Sequence, residues 1–132
     1  MSDDRRPGSV ILLSGGLDST VLLYQRRRLY QEERALFPLF IDYAQRALYH
    51  ERRAAEFHCA KLGLELQVLD LSSAGRDFRS FSGVNLHVPV PHHNLPLLGF
   101  AVSYAALKGC DTVELGVIAD DRLGADRDLD RL

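Results

Sequence analysis

The sequence predicts an α/β protein, a parallel sheet with helices packed on both of its faces. Three observations carry that prediction. Short apolar runs of strand length alternate with segments of helical period along most of the chain. The stretch "VILLSGGLDSTVLLY" passes from an apolar strand through small polar residues into an apolar helix, the order of a βα unit. Gly63 and Gly109 stand where two of the helical segments should stop.

In chain order, Ser9 to Leu13 is a short buried strand bounded by Gly8 and Ser14. A helix runs from Leu17 into Tyr30, with Val21, Leu22 and Leu29 on its apolar side and Arg26, Arg27 and Arg28 forming a solvated end. "ALFPLFIDY" has strand length, and its Pro38 argues for an edge position or a strand beginning after it. Gln45 to Leu62 reads as an amphipathic helix, with Leu48, Ala55, Cys59 and Leu62 in register. "LELQVLDL" alternates as a third strand. From Ser72 to Asn94 the periodicity is lost among Gly75, Gly83, Pro89 and Pro91, which predicts a long loop. Asn94 is expected to cap a helix from Leu95 to Lys108, with Pro96 in its first turn. "TVELGV" supplies a fourth strand, and the charged tail from Ile118 has no periodic pattern.

Bulk properties narrow the function classes. With 132 residues, 46% hydrophobic and 26% charged, the chain suits a single domain of ordinary globular composition. A net charge of −2 offers no basic excess for a nucleic acid or an anionic membrane surface. No apolar run approaches the ~18 residues of a membrane span, and "MSDDRRPGS" has no signal-peptide core, so a cytoplasmic protein is expected. Cys59 and Cys110 form neither a metal motif nor a disulfide framework.

In a parallel sheet, ligands sit beyond the carboxyl ends of the strands, where the strand order reverses. That rim is predicted to hold the Ser14 turn, Asp42 and Tyr43, the end of the third strand and Gly116. In the turn Ser14-Gly15-Gly16-Leu17-Asp18-Ser19-Thr20 the free amides and dipole of the helix start welcome an anion. The glycines let the backbone approach it, and Ser14, Ser19 and Thr20 add hydroxyls. A Gly-Lys-Ser/Thr ending and a Gly-x-Gly-x-x-Gly pattern are both missing. Asp18 would repel a bare phosphate, so it either holds Mg²⁺ bridging to phosphate oxygens or caps the helix. A plain βα turn with Asp18 only as its cap is the alternative.

"SGGLDST" after an apolar strand resembles the pyrophosphate loop of the N-type ATP pyrophosphatases (PP-loop proteins). "FIDYAQRALYHERRAAEFHCAKLGLELQVLDL" is similar to the matching region of the 7-cyano-7-deazaguanine synthases, through Asp42, Tyr43, Gln45, Arg46, Glu51, Ala54 and Ala55. "VPVPHHNLPLLGFAVSYAALKGCDTVELGV" resembles their Val-Pro-x-Arg-Asn segment, following helix and Gly-Val strand end. The similarity runs from Ser9 to Val117. It implies a Rossmann-like sheet of the adenine nucleotide α-hydrolase (HUP) type, and a single PP-loop ATP-binding domain over residues 1–132, expected to be either truncated or shortened at the C-terminus relative to the family.

The resemblance also implies a reaction. ATP is cleaved between its α and β phosphates, AMP passes to a carboxylate such as 7-carboxy-7-deazaguanine, and ammonia displaces it to give the amide and then the nitrile. Catalytic roles fall to Ser14, Asp18 and Arg46. Leu13, Ser14, Gly15, Gly16, Leu17, Asp18, Ser19, Thr20, Phe40, Ile41, Tyr43, Gln45 and Gly116 bind the nucleotide, with the main chain of Phe40 and Ile41 as the adenine edge. Arg46 meets a phosphate or the acid, or stands in solvent.

The sequence departs from the family at several points. Ala44 stands for a glycine, and His93, beside His92, stands for an arginine. Ile118, Ala119, Asp120, Asp121 and Arg122 replace the family's continuation after Val117. The four cysteines of the family's zinc site are absent, so ATP and Mg²⁺ are the expected cofactors and Zn²⁺ has no ligands here. The expected partners are ATP and a small carboxylic acid, with a second copy or a partner protein. The alternative function is a shortened nucleotide-binding subunit, or an enzyme transferring a 7-deazaguanine group, in a defence or natural-product pathway. A tRNA sulfur-transfer or lysidine-type enzyme is disfavoured by the acidic charge and the missing Cys-x-x-Cys pair.

Overall fold

The computed structural model describes residues 7–82, 90 and 92–116. Its elements follow one another as β1 (Gly8–Leu13), α1 (Leu17–Tyr30), β2 (Ala35–Asp42), α2 (Leu48–Lys61), β3 (Gln67–Asp70), α3 (Ser72–Ser82), α4 (Asn94–Lys108) and β4 (Thr112–Leu115). All strand pairings are parallel and the order is β3-β2-β1-β4. The chain winds one way from β1 to β3 and then crosses to the far side of β1, which makes the β1/β4 junction the switch point of the sheet.

The uninterrupted apolar run of β1 follows from burial on both faces. Val10 and Leu12 join Leu39, Ile41, Leu97, Ala101 and Ala105 on the α4 side. Ile11 and Leu13 join Phe40, Leu23, Ala55 and Cys59 on the α1 and α2 side. Neighbouring β1 residues thus serve opposite cores, as the period of two requires. The helical register of Ala55 and Cys59 is the one the sequence predicts.

Several expectations need correction. The predicted loop of residues 72–94 begins as the helix α3; residues 83–89 and 91 lie outside the described residues, as does the tail from Val117. Asp70 starts α3 by accepting the Ser72 N–H at 2.9 Å. The buried contact of α3 is Gly75, whose Cα has the Tyr43 carbonyl against it, while Phe78 and Phe81 face outward. An apolar pattern was therefore the wrong signal for this helix. The helix after β2 starts at Leu48 rather than Gln45, because residues 43–47 form an irregular turn.

Pro38 is fully buried inside β2, an interior strand. Pairing with β3 begins only at Leu39, so at Pro38 one side of β2 has no neighbouring strand and a missing N–H is tolerated. Asn94 is the first helical residue of α4, with His93 in the capping position and no side-chain cap bond. On α1 the buried residues are Ser19 and Leu23, whereas Val21 and Leu29 are exposed. Arg26 leaves the expected solvated run to meet Glu114 of β4 at 2.6 Å. No helix among the described residues is long and apolar enough to cross a membrane.

Candidate functional site

The turn between β1 and α1 is built by its hydroxyls. Ser19 is buried, and its Oγ accepts the Ser14 N–H at 3.1 Å while donating to the Gly16 carbonyl at 3.3 Å. Ser14 Oγ lies 3.1 Å from Ser19 Oγ and accepts the Gly16 N–H at 3.3 Å. Thr20 Oγ1 also donates to the Gly16 carbonyl, at 2.8 Å. The Ser19 and Thr20 hydroxyl protons thus shape the turn from inside.

What the turn leaves open is main chain. Among the described residues, the N–H groups of Gly15, Leu17, Asp18 and Ser19 have no protein acceptor, and no side chain caps α1. The Asp18 carboxylate takes no hydrogen bond from the helix start, so the capping alternative is not the one found. Unpaired amides and the positive end of the helix dipole converge at one place, which fits an anionic phosphate group.

Two glycines bring the surrounding backbone close. Gly15 has φ +75°, and a Cβ there would meet the main chain of Glu51, in the first turn of α2. Gly116 follows β4, and its Cβ would lie 2.7 Å from Ser19 Cα and 2.8 Å from Ser19 N. The start of α1 is therefore enclosed by the ends of β1 and β4 at the switch point. Leu13 ends β1, Leu17 is exposed, and Gly16 has only the Ser14 hydroxyl near its open side.

The end of β2 forms the other part of the rim. Phe40 lies inside the ladder between Leu13 and Val68, while Ile41 has passed the end of β1 and pairs with Leu69. Gln45 is buried with its amide spent on this turn: Oε1 accepts the Tyr43 N–H at 2.9 Å, and Nε2 donates to the Ile41 carbonyl at 3.2 Å. Asp42 Oδ1 accepts the Ala44 N–H at 2.9 Å, and Ala44 adopts φ +61°. The glycine expected at this position from the resemblance has a conformational reason. Tyr43 stacks on His93, with centroids 5.6 Å apart and planes inclined by 20°. Burial, with a smaller contribution from Glu51, pushes the Tyr43 phenol up to about 12. Arg46 is exposed at the start of the following segment.

Sequence reasoning missed Arg79, which reaches from α3 to donate Nη2 to the Ala44 carbonyl at 2.8 Å. The Asp70–Ser72 helix start was the signal that would have placed it on a helix beside the rim.

Metal sites divide in two. Mg²⁺ binds through one or two carboxylates together with phosphate oxygens and water, so the single carboxylate of Asp18 at the amide cluster fits it. Zinc does not fit the described residues. They contain no cluster of three or more His, Cys, Asp or Glu, and Cys59 and Cys110 pack on opposite sides of the sheet.

Comparison with known proteins gives the family and the fold. The family model of the queuosine biosynthesis protein QueC matches residues 8–124. 7-cyano-7-deazaguanine synthase 1 of Sulfurisphaera tokodaii is 32% identical over 115 residues, covering 86% of this chain and 54% of the relative. The 7-cyano-7-deazaguanine synthase of Leptospira interrogans is 35% identical over 136 residues, covering 93% and 54%. The chain thus spans about half the length of the curated relatives it matches. Among solved structures, the NH3-dependent NAD synthetase of Campylobacter jejuni superposes with TM-score 0.61 at 24% identity, covering 83% of this chain and 47% of that one. The U34-tRNA thiolase NcsA of Methanococcus maripaludis gives 0.59 at 19%, covering 83% and 37%. These two likenesses establish the Rossmann-like fold. With a family match over nearly all of its length, the chain belongs to the QueC family.

Proposed function

We propose that this chain binds ATP with its β and γ phosphates on the amides of Gly15, Leu17, Asp18 and Ser19, and transfers AMP to a carboxylate. The observation that carries the reading is the uncapped start of α1, closed in by Gly116 and held by Ser19, in a chain of the QueC family. The relatives are named as 7-cyano-7-deazaguanine synthases, and in this reading the acceptor is 7-carboxy-7-deazaguanine or a related acid.

The chemistry answers a simple obstacle. A carboxylate is a poor electrophile, and ammonia does not displace oxide from it. One carboxylate oxygen attacks the α phosphorus, the bond to the bridging oxygen breaks, and pyrophosphate leaves with that electron pair. Ammonia then attacks the acyl carbon and AMP departs with the second carbon–oxygen electron pair, leaving an amide after loss of a proton. The free amides of α1 stabilise the charge that gathers on pyrophosphate, and they are already oriented before reaction. Mg²⁺ held by Asp18 would neutralise part of the phosphate charge. Ser14, exposed beside this seat, supplies a further hydroxyl, and in this reading the exposed Arg46 is a second cation for the phosphates or the acid. In this reading the adenine lies along the main chain at Phe40 and Ile41, next to Tyr43 and the Gln45-braced turn. Its substrates are metabolites of the cytoplasm.

The test supplies ATP, Mg²⁺, ammonium and 7-carboxy-7-deazaguanine to the chain and follows AMP by chromatography. AMP should appear only with the acid present. ATP binding without AMP under these conditions would sink the adenylation reading and leave a nucleotide-binding subunit.

A further inference from the structure

Arg79 carries a charge that the described residues around it do not balance. Its Nη2 donates to the neutral Ala44 carbonyl at 2.8 Å, and its Nε is buried without an acceptor. No carboxylate among the described residues pairs with it. Arg26 and Arg34, by contrast, each meet a carboxylate at 2.6 Å. A partly buried guanidinium without a counter-ion, with one donor orphaned, is unfavourable unless an anion completes it.

Its position selects the anion. The free amides lie at the ends of β1 and β4, while Arg79 grips the residue two beyond the end of β2. The triphosphate already has a seat at the first place. A second anion is required by the reaction itself, because the acceptor of AMP is an acid. The guanidinium is pre-oriented for it: the Ala44 bond and the close packing of Gly75 on Tyr43 fix α3 against the turn. Its planar donor edge matches a planar carboxylate.

We propose that Arg79 binds the carboxylate of the acid that accepts AMP. This inference rests on the adenylation reading above.

The test measures equilibrium binding of three probes to the full chain: 7-carboxy-7-deazaguanine, the neutral 7-amide of the same ring, and ATP. Arg79→Gln should weaken the acid by about tenfold or more and leave the amide and ATP within about twofold. Arg79→Lys, which keeps the charge without the planar edge, should fall between. Equal acid affinity in all three proteins overturns the proposal, and a matching loss for ATP would assign Arg79 to phosphate instead. Phenylglyoxal modification of the unaltered chain, read by mass spectrometry, requires no folded variant. The acid should protect Arg79 and ATP should not; absence of protection overturns the proposal by itself. If the unaltered chain fails to bind ATP, the adenylation reading falls as well, which separates that failure from an error about Arg79 alone.

Discussion

Gly15 lies with its Cα directly against the main chain of Glu51, so that the β1–α1 turn and the first turn of α2 share one wall. A Cβ at position 15 would sit 2.5 Å from Glu51 Cα, and the residue has φ +75°. Gly15→Ala is therefore expected to lose about 1–2 kcal/mol to the left-handed conformation and about 1–3 kcal/mol to overpacking. Urea denaturation followed by far-UV circular dichroism reads the sum; an unchanged midpoint would remove the close approach.

Gly16 makes the opposite case. Its φ is −83°, and a Cβ there would touch only the Ser14 hydroxyl, at 3.3 Å. Gly16→Val should keep a cooperative fold within about 1 kcal/mol of the parent yet lose AMP formation, because the side chain stands among the free amides. Asp18→Ala should behave likewise. Retained turnover in either variant would contradict the phosphate seat.

Ala44 pays for its position with φ +61°. Glycine there removes about 1–2 kcal/mol of strain and adds about 0.4–1 kcal/mol of unfolded-state entropy. Ala44→Gly should raise stability by up to about 1.6 kcal/mol, seen as a higher denaturation midpoint with the same slope.

The Arg26–Glu114 pair ties α1 to β4, and hence to the strand that leads into Gly116. Glu114 is largely covered, and its Oε2 is buried without a partner. Arg26→Met should cost about 2 kcal/mol, because it strands a carboxylate. Glu114→Gln should cost less, because it removes the buried charge. A double-mutant cycle on thermal unfolding measures the coupling, and additive losses would deny it.

Alkaline pH should destabilise the fold in two steps. Burial pushes the Cys59 thiol up to about 11, and burial first, then Glu51, pushes the Tyr43 phenol up to about 12. Both groups ionise at lower pH in the unfolded chain, about 8.5 and 10. Their contribution is thus complete below those values and is lost as pH rises through the folded ones. Stability should fall from about pH 8.5 to 11 through Cys59 and from about pH 10 to 12 through Tyr43. Cys59→Ala should flatten the first limb and Tyr43→Phe the second, relative to the parent curve; a parent profile level to pH 12 would refute the burial argument.

The sequence by itself determined the parallel sheet, the burial of β1, and the small-residue βα turn at the carboxyl rim of the sheet. Each depends on local pattern: period two in strands, period 3.6 in helices, and small residues at a helix start. Other features depend on which backbones meet. Only the tertiary structure decided that Pro38 is tolerated because β3 pairs one residue later, and that α3 packs through Gly75 rather than through its phenylalanines. The same holds for the uses of Gln45 and Arg79, one spent bracing a turn and the other without a carboxylate partner among the described residues. Polar side chains take their roles from the partners that folding places around them, and those partners lie far away in the chain.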